Sequence, residues 1–339
     1  MWSRLKALPP YLGGKRKLLG QIFKHLPPPT ESPVFVDAFL GGGSVSLMAK
    51  ARGYRVISND IALRSLIVGK ALIENSRVKL EHSDLVRLFA EPSKASDFIT
   101  ANFSPGVLTA PNAEFLDVAF SHVDEFNGAK PWLIQLLLIK YIIAMRPVGN
   151  FGARTIIKQV QDRQWDDINP HFLRNAAIGN ICLHPLQILE RLRMNVNRGV
   201  FDNGRGNLVF QKDVFEFLSE IDQADIIYLD PPYAGTSSYE RSLKDLDSII
   251  TGRIIKPQVS VFSGKRAMEF LESLFDACQR FPIWAISYGN AEISLDDLTV
   301  LVRKFKQEVF AQEFEYAHLA GLSGEKLRKR DKEYLIIAR

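Results

Sequence analysis

Apolar and polar positions in this chain form short blocks at both ends and longer helical periods between them. Near the start, "PVFVDAF" (33–39) is a short apolar run, "LGGGS" a glycine loop, "VSLMAKARG" a helical period closed by Gly53, and "YRVISND" (54–60) a second apolar run. That succession is a β-α-β unit. Such units gather ligands at the carboxyl ends of their strands, so Asp37, the glycines and Asp60 are expected to converge. From about Ala62 to Arg205 the pattern turns helical, with irregular connectors such as "ANFSPGVLTAPNAEF", "RPVGNFGART" and "DINPHFLRNAAIGN". An inserted, mostly helical region is expected there, with "WLIQLLLIKYIIAM" as its buried helix. Strand-like blocks then resume in "NLVFQKD", "ADIIYLDPP" and "IWAISYGN", and "KEYLIIAR" closes the chain as a strand. Between them "AMEFLESLFDAC" and "SLDDLTVLVRKFKQ" read as helices, the second capped by Ser294.

Two of these blocks end in chemistry. The run Ile226–Leu229 stops at Asp230, Pro231, Pro232 and Tyr233, because proline cannot donate to a strand ladder. Proline also restricts the residue before it, so a carboxylate and the following carbonyls are held rigidly. Such acceptors suit an exocyclic amine, whose two hydrogens go to Asp230 and the Pro231 carbonyl while its lone pair stays free. Tyr233 is expected to stack on the base. The bland alternative is a proline-rich turn after a core strand. In the first unit Asp60 follows Asp37 by 23 residues, close to the spacing at which an acid accepts from ribose hydroxyls. No G-x-G-x-x-G and no Gly-Lys-Ser/Thr accompanies the loop, and an acid stands beside it, which favours a nucleoside cofactor without phosphates.

Composition narrows the class. The 339 residues are 46% hydrophobic and 24% charged, ordinary for a folded protein. The longest apolar stretch is interrupted by Gln135 and Lys140 and is shorter than the roughly 20 residues of a membrane-spanning helix. No secretory signal is recognisable, so a cytoplasmic location is expected. Cys182 and Cys278 lie far apart and the histidines form no HxH or HxxxH pair, so reduced structural thiols and no metal are expected. The net charge of +5 is unevenly spread: Lys140 to Lys212 carries eleven Lys and Arg against five Asp and Glu. A phosphate backbone suits that excess, and an arginine-rich solvated surface is the plain alternative.

"DPPY" after an apolar strand, with "FVDAFLGGGS" and "YLGGKRKLL" before it in that order, resembles the Dam-like class of DNA adenine-N6 methyltransferases. The resemblance covers about residues 8–62 and 205–339 and is thin over 70–200. It implies an α/β fold, a Rossmann-like S-adenosylmethionine-dependent methyltransferase sheet, with a catalytic domain of 1–65 and 205–339 and an inserted helical target-recognition region of 66–204. Tyr11, Gly13, Gly14 and Lys15 would contact the methionine part or form the site floor, Tyr11 standing where the family often has Trp. Asp37, Phe39, Gly41 and Gly43 would line the S-adenosylmethionine pocket, with Asp60 on the ribose, Ile61 against the adenine ring and Asp213 on the adenine amine. Asp230, Pro231, Pro232 and Tyr233 would form the clamp for a flipped target adenine.

DNA contacts are expected from Arg146, Asn150, Arg154 and Lys158 in a stretch resembling the family's hinge loop, and from Tyr239 and Arg241 in a loop after the clamp. The partner implied is double-stranded DNA, with a cognate restriction endonuclease as a functional partner and no membrane. A monomer is expected, since methylating one strand at a time needs no symmetry. Other acceptors stay open: cytosine N4, RNA adenine or a protein glutamine amide, as does a non-catalytic DNA-binding relative. The acid at 230 favours adenine, because Ser or Asn more often precedes the prolines in the other classes.

Overall fold

The computed structural model describes residues 1–11, 13–92, 96–145, 180–234, 239–257, 260–315 and 332–339. Seven strands make one sheet: β1 (Val34–Asp37), β2 (Arg55–Asn59), β3 (Leu208–Phe210), β4 (Ile226–Leu229), β5 (Ile283–Gly289), β6 (Val309–Glu315) and β7 (Lys332–Ala338). Their order is β3-β2-β1-β4-β5-β7-β6. The first five run parallel, and β7 is inserted antiparallel between β5 and β6. This is the expected α/β methyltransferase sheet.

The helices are α1 (Leu19–Lys24), α2 (Ser44–Arg52), α3 (Leu63–Val68) running on into a π-helical turn (Gly69–Glu74), α4 (His82–Arg87), α5 (Phe98–Phe103), α6 (Ala110–Ser121), α7 (Lys130–Ala144), α8 (Pro185–Gly199), α9 (Val214–Glu220), α10 (Lys244–Thr251), α11 (Ala267–Ala277) and α12 (Leu295–Val302). Several boundaries follow local chemistry. Gly43 at φ +76° starts α2 and Gly53 at φ +99° ends it, both left-handed positions that favour glycine. The Ser294 hydroxyl accepts from the Asp297 backbone N–H and so caps α12.

Alternation along the strands divides the core into two layers. Phe35, Val56, Ile226, Tyr228, Leu335 and Ile337 face one layer, which also holds Leu72, Leu137 and Ile188 from the helical region. Val36, Ile57, Ile227, Leu229 and Ile336 face the other, covered by α9, α11 and α12 through Phe217, Leu271 and Leu298. The described helices between 63 and 199 therefore share a core with the sheet. Helix α7 is the buried helix expected from its apolar run: Leu133, Leu136, Leu137 and Tyr141 are fully buried, and its Lys140 donates to the Lys6 and Leu8 carbonyls.

Strand β6 is an element that the sequence pattern did not reveal. It is a sheet edge with half-exposed and exposed positions, "VFAQEFE", and carries too little apolar alternation to stand out beside the preceding helix. The buried Cys278 thiol is pushed up to about 12 by burial, as an unreactive structural thiol should be. Among the described residues no helix is long and apolar enough to cross a membrane.

Candidate active site

Parallel pairing brings the ends of β1, β2 and β4 to one edge of the sheet. Asp37 ends β1 in register with Tyr228, and Asp230 lies two residues beyond. A cavity of about 590 Å³ opens there, lined by Tyr11, Gly13, Gly14, Lys15, Asp37, Phe39, Gly41, Asp60, Ile61, Asp213, Asp230, Pro231, Pro232 and Tyr233, among others. Residues separated by over two hundred positions in sequence thus meet in one place.

The glycine loop forms one wall. Both oxygens of Asp60 accept backbone N–H groups, from Gly41 at 2.7 Å and Ala62 at 2.8 Å, so the carboxylate fixes the loop while keeping lone pairs for a ligand. The Tyr11 side chain lies across that loop: a Cβ on Gly42 would come within 2.6 Å of Tyr11 Cβ. Gly42, which sequence reasoning did not single out, therefore takes the wall position. Gly43, expected to line the pocket, is instead behind it, where a Cβ would meet Val68 Cγ1 at 2.8 Å. Its role is to turn the chain and let the loop pack.

Beyond Asp60, Ile61 is 71% exposed, an apolar side chain presented at the cavity. Phe39 packs edge-on against Phe262. Asp213 is exposed at the cavity and caps α9 by accepting the Phe215 N–H at 2.9 Å. Asp37 is buried and accepts from the Ser46 hydroxyl at 2.6 Å. Burial pushes its carboxyl up to about 7, the Ser46 hydrogen bond opposing this and the nearby Asp230 adding to it.

The clamp carboxylate is held from two sides. Lys15 Nζ lies 2.9 Å from Asp230 Oδ2, 3.3 Å from Glu333 Oε1 and 2.9 Å from the Gly13 carbonyl oxygen. The Tyr233 hydroxyl lies 2.9 Å from Asp230 Oδ1 and 2.5 Å from Glu333 Oε1. Lys15 and Glu333 are buried, while the Asp230 side chain keeps 19% exposure toward the cavity. Desolvation raises the Asp230 carboxyl above the ordinary aspartate range, opposed by Lys15 and reinforced by Glu333. Of the two roles expected for the Tyr11–Lys15 segment, Lys15 takes the floor.

Tyr233 stands beside Asp230 in the cavity wall. Its ring is 3% exposed, tilted against Tyr288 with centroids 4.8 Å apart, and a Cβ on Gly289 would meet it at 2.5 Å. It is packed against protein on this side, with its hydroxyl turned to two carboxylates, and it also lines the cavity.

Sequence reasoning also missed Glu333, Arg64 and Asp247. Arg64 and Asp247 pair across α3 and α10 and both line the cavity. Glu333 could have been found from phase: it alternates with Leu335 and Ile337, so an acid stands on the buried face of an apolar strand. Arg146, Asn150, Arg154 and Lys158 lie outside the described residues, as does the Tyr239 side chain. Arg241 is exposed on the single helical turn Tyr239–Ser242 and is not among the cavity-lining residues.

The comparisons with known proteins agree with this geometry. Residues 11–152 match the D12 class of N6 adenine-specific DNA methyltransferases. The chain is 31% identical to the type II methyltransferase M2.HphI of Haemophilus parahaemolyticus, over 96% of both proteins. It is 24% identical to the modification methylase StsI of Streptococcus sanguinis, over 87% of this chain and 46% of that protein. With the type II methyltransferase M.FokI of Planomicrobium okeanokoites it shares 25% identity over 66% of this chain and 34% of that one.

Proposed function

The chain belongs to the D12 class of N6 adenine-specific DNA methyltransferases, and from that premise we propose how its site performs methyl transfer to adenine N6 in DNA. The observation that carries the reading is Asp230: a rigid, partly exposed carboxylate at the end of β4, facing the cavity that the glycine loop and Asp60 also line.

The methyl donor in this reading is S-adenosylmethionine. The cavity fits it in size and in donor set. Asp60 offers lone pairs to ribose hydroxyls beside Ile61, whose exposed side chain suits an adenine face, and Asp213 accepts from the adenine amine. The loop at Gly41 and Gly42 lets backbone and Tyr11 approach where a side chain would block them. When bound, this donor supplies a methyl carbon on a sulfonium, whose carbon–sulfur bond breaks, leaving a thioether, as the bond to nitrogen forms.

The chain's own residues then need to position and to stabilise. The Asp230 carboxylate and the Pro231 carbonyl accept the two N6 hydrogens, which directs the nitrogen lone pair into the cavity. Charge developing on that nitrogen is stabilised by Asp230, whose fixed and mostly buried carboxylate is worth more there than in solvent. Lys15 prevents the carboxylate from turning away. Reaching it requires the adenine to leave the base stack, at a cost of a few kcal/mol.

Target recognition is assigned to 66–204, whose basic excess includes Arg146, Arg154 and Lys158, with Asn150 and Arg146 reading base edges and the others, with Tyr239 and Arg241, contacting the backbone. The substrate is duplex DNA, the working form a monomer, and a cognate restriction endonuclease the functional partner, as the relatives' type II and modification-methylase names suggest.

Calorimetric titration with S-adenosylmethionine tests the cofactor assignment. Wild type should bind, and Asp60→Ala should bind at least about tenfold more weakly, the loss of hydrogen bonds worth about 1.5–3 kcal/mol. No binding by folded wild type, or equal affinity in the variant, would overturn it.

A further inference from the structure

Arg64 carries a charge where the chain is otherwise built of core. It is the second residue of α3, whose residues from Ser65 to Val68 are buried, and it is itself only 8% exposed. Its ion-pair partner Asp247 comes from α10, 183 positions later in the chain. Mostly buried ion pairs often hold elements together no better than apolar side chains of similar volume, so packing alone is a weak reason for charges here. Both residues line the cavity.

Asp247 does not exhaust what the guanidinium offers. Arg64 Nε is buried and has no hydrogen-bond partner among the described residues, and a buried donor left unmet costs free energy. The pair's place in the cavity follows from Tyr11, which interacts electrostatically with Arg64, Asp60 and Asp247 and lies across the loop at Gly41 and Gly42. Arg64 and Asp247 thus stand beside the glycine loop and the acid assigned to the ribose.

The parts of S-adenosylmethionine differ in charge. Adenine and ribose are neutral and the sulfonium is positive; only the amino-acid end carries both signs, a carboxylate and an ammonium on one carbon. A cation and an acid side by side on one wall match that end and no other. We propose that Arg64 and Asp247 form the subsite for the amino-acid end of the methyl donor, Arg64 taking the carboxylate and Asp247 the ammonium. The inference rests on the assignment of S-adenosylmethionine to this cavity. A guanidinium presents its N–H groups in a planar fork that fits a carboxylate, and a carboxylate accepts readily from an ammonium.

The other cations of the lining are engaged or exposed. Lys15 is held at Asp230, Lys212 pairs with Glu216 and Glu220, and Arg253 and Lys256 are exposed, where solvent screens them. Anchoring the amino-acid end at this wall, with Ile61 and Asp213 on the adenine, holds the donor on both sides of its sulfonium. The methyl carbon between the two anchors is then fixed for the nitrogen that Asp230 presents.

The test is calorimetry on the full chain with three ligands: S-adenosylmethionine, its decarboxylated form, which keeps the ammonium, and its deaminated form, which keeps the carboxylate. Wild type should bind the complete donor at least about tenfold more tightly than either truncated form. Arg64→Met should weaken the complete and the deaminated donors by about tenfold or more, and should bind the decarboxylated form at least as well as wild type does. Asp247→Asn should show the converse, weakening the decarboxylated form and sparing the deaminated one.

A pair that only braced α3 against α10 would give losses that ignore which group the ligand carries. Equal losses for all three ligands in both variants, or a wild type that binds all three equally, would overturn the subsite. Should Arg64→Met not fold, the wild-type preference together with Asp247→Asn decides. Folded wild type that binds none of the three would instead bring down the donor assignment itself.

Discussion

Asp37 and Gly289 show how single residues around the clamp are constrained. The Asp37 carboxyl, pushed up to about 7 by burial, titrates near 3.9 in an unfolded chain. Between those values the folded protein binds one more proton than the unfolded one, so its stability falls as pH rises from about 4 through about 7. The loss is of order 4 kcal/mol at about 1.4 kcal/mol per pH unit. Thermal denaturation of the free protein across that range should show this slope, and Asp37→Asn should flatten it; an identical slope in both would contradict the assignment. At Gly289 an added Cβ would come within 2.5 Å of the Tyr233 ring, and the strand backbone cannot move away. Gly289→Ala should therefore cost about 1–3 kcal/mol of stability and displace the hydroxyl from Asp230, with transfer reduced by at least about tenfold and S-adenosylmethionine affinity little changed.

How far these residues could be read in advance depended on their neighbours in sequence. Asp37, Asp60 and Asp230 each end an apolar run, Asp230 directly before two prolines, so local pattern marks them. Lys15 is marked by the two glycines before it and Glu333 only by its phase on an apolar strand. Their meaning comes from a meeting 318 positions apart that only pairing of β5 with β7 brings about. Tyr233 was legible as part of the motif, but its packing was not, because Gly289 and Tyr288 come to it from another strand.

At the scale of elements, β-α-β periodicity and the buried helix were readable because their apolar residues recur at one spacing. The edge strand β6 was not, since all of its positions are exposed or half-exposed. Helix α7 ties the helical layer to the active-site segment. Lys140, pushed down to about 7 by burial, donates from α7 to the Lys6 and Leu8 carbonyls, just before Tyr11 and Lys15. Lys140→Met should leave the buried Leu8 carbonyl and the part-buried Lys6 carbonyl without their donor and cost about 1–3 kcal/mol. Chemical denaturation should report this as a lower midpoint, with the S-adenosylmethionine affinity also reduced because the Tyr11 wall loses its anchor. An unchanged midpoint would show that the anchor contributes nothing.

For the whole molecule, the net charge of +5 is carried by the stretch from Lys140 to Lys212, while the cavity lining holds acids and bases in equal number. The basic excess outside the balanced cavity suits contact with a polyanion. Replacing Arg146, Arg154 and Lys158 together by Ala should weaken duplex binding and lower the slope of log affinity against log salt by about 0.9 for each phosphate that is no longer neutralised. Donor binding should be unaffected; a fall in donor affinity instead would place these residues at the cavity and not on DNA.

The central claim is that Asp230 presents adenine N6 to the methyl donor. Its most direct test is to incubate the purified protein with duplex DNA and isotope-labelled S-adenosylmethionine, digest the DNA to nucleosides and identify the labelled product by mass. Wild type should yield labelled N6-methyladenine, and Asp230→Ala should yield none while still binding S-adenosylmethionine. Label on cytosine, or undiminished N6-methyladenine from Asp230→Ala, would contradict the account.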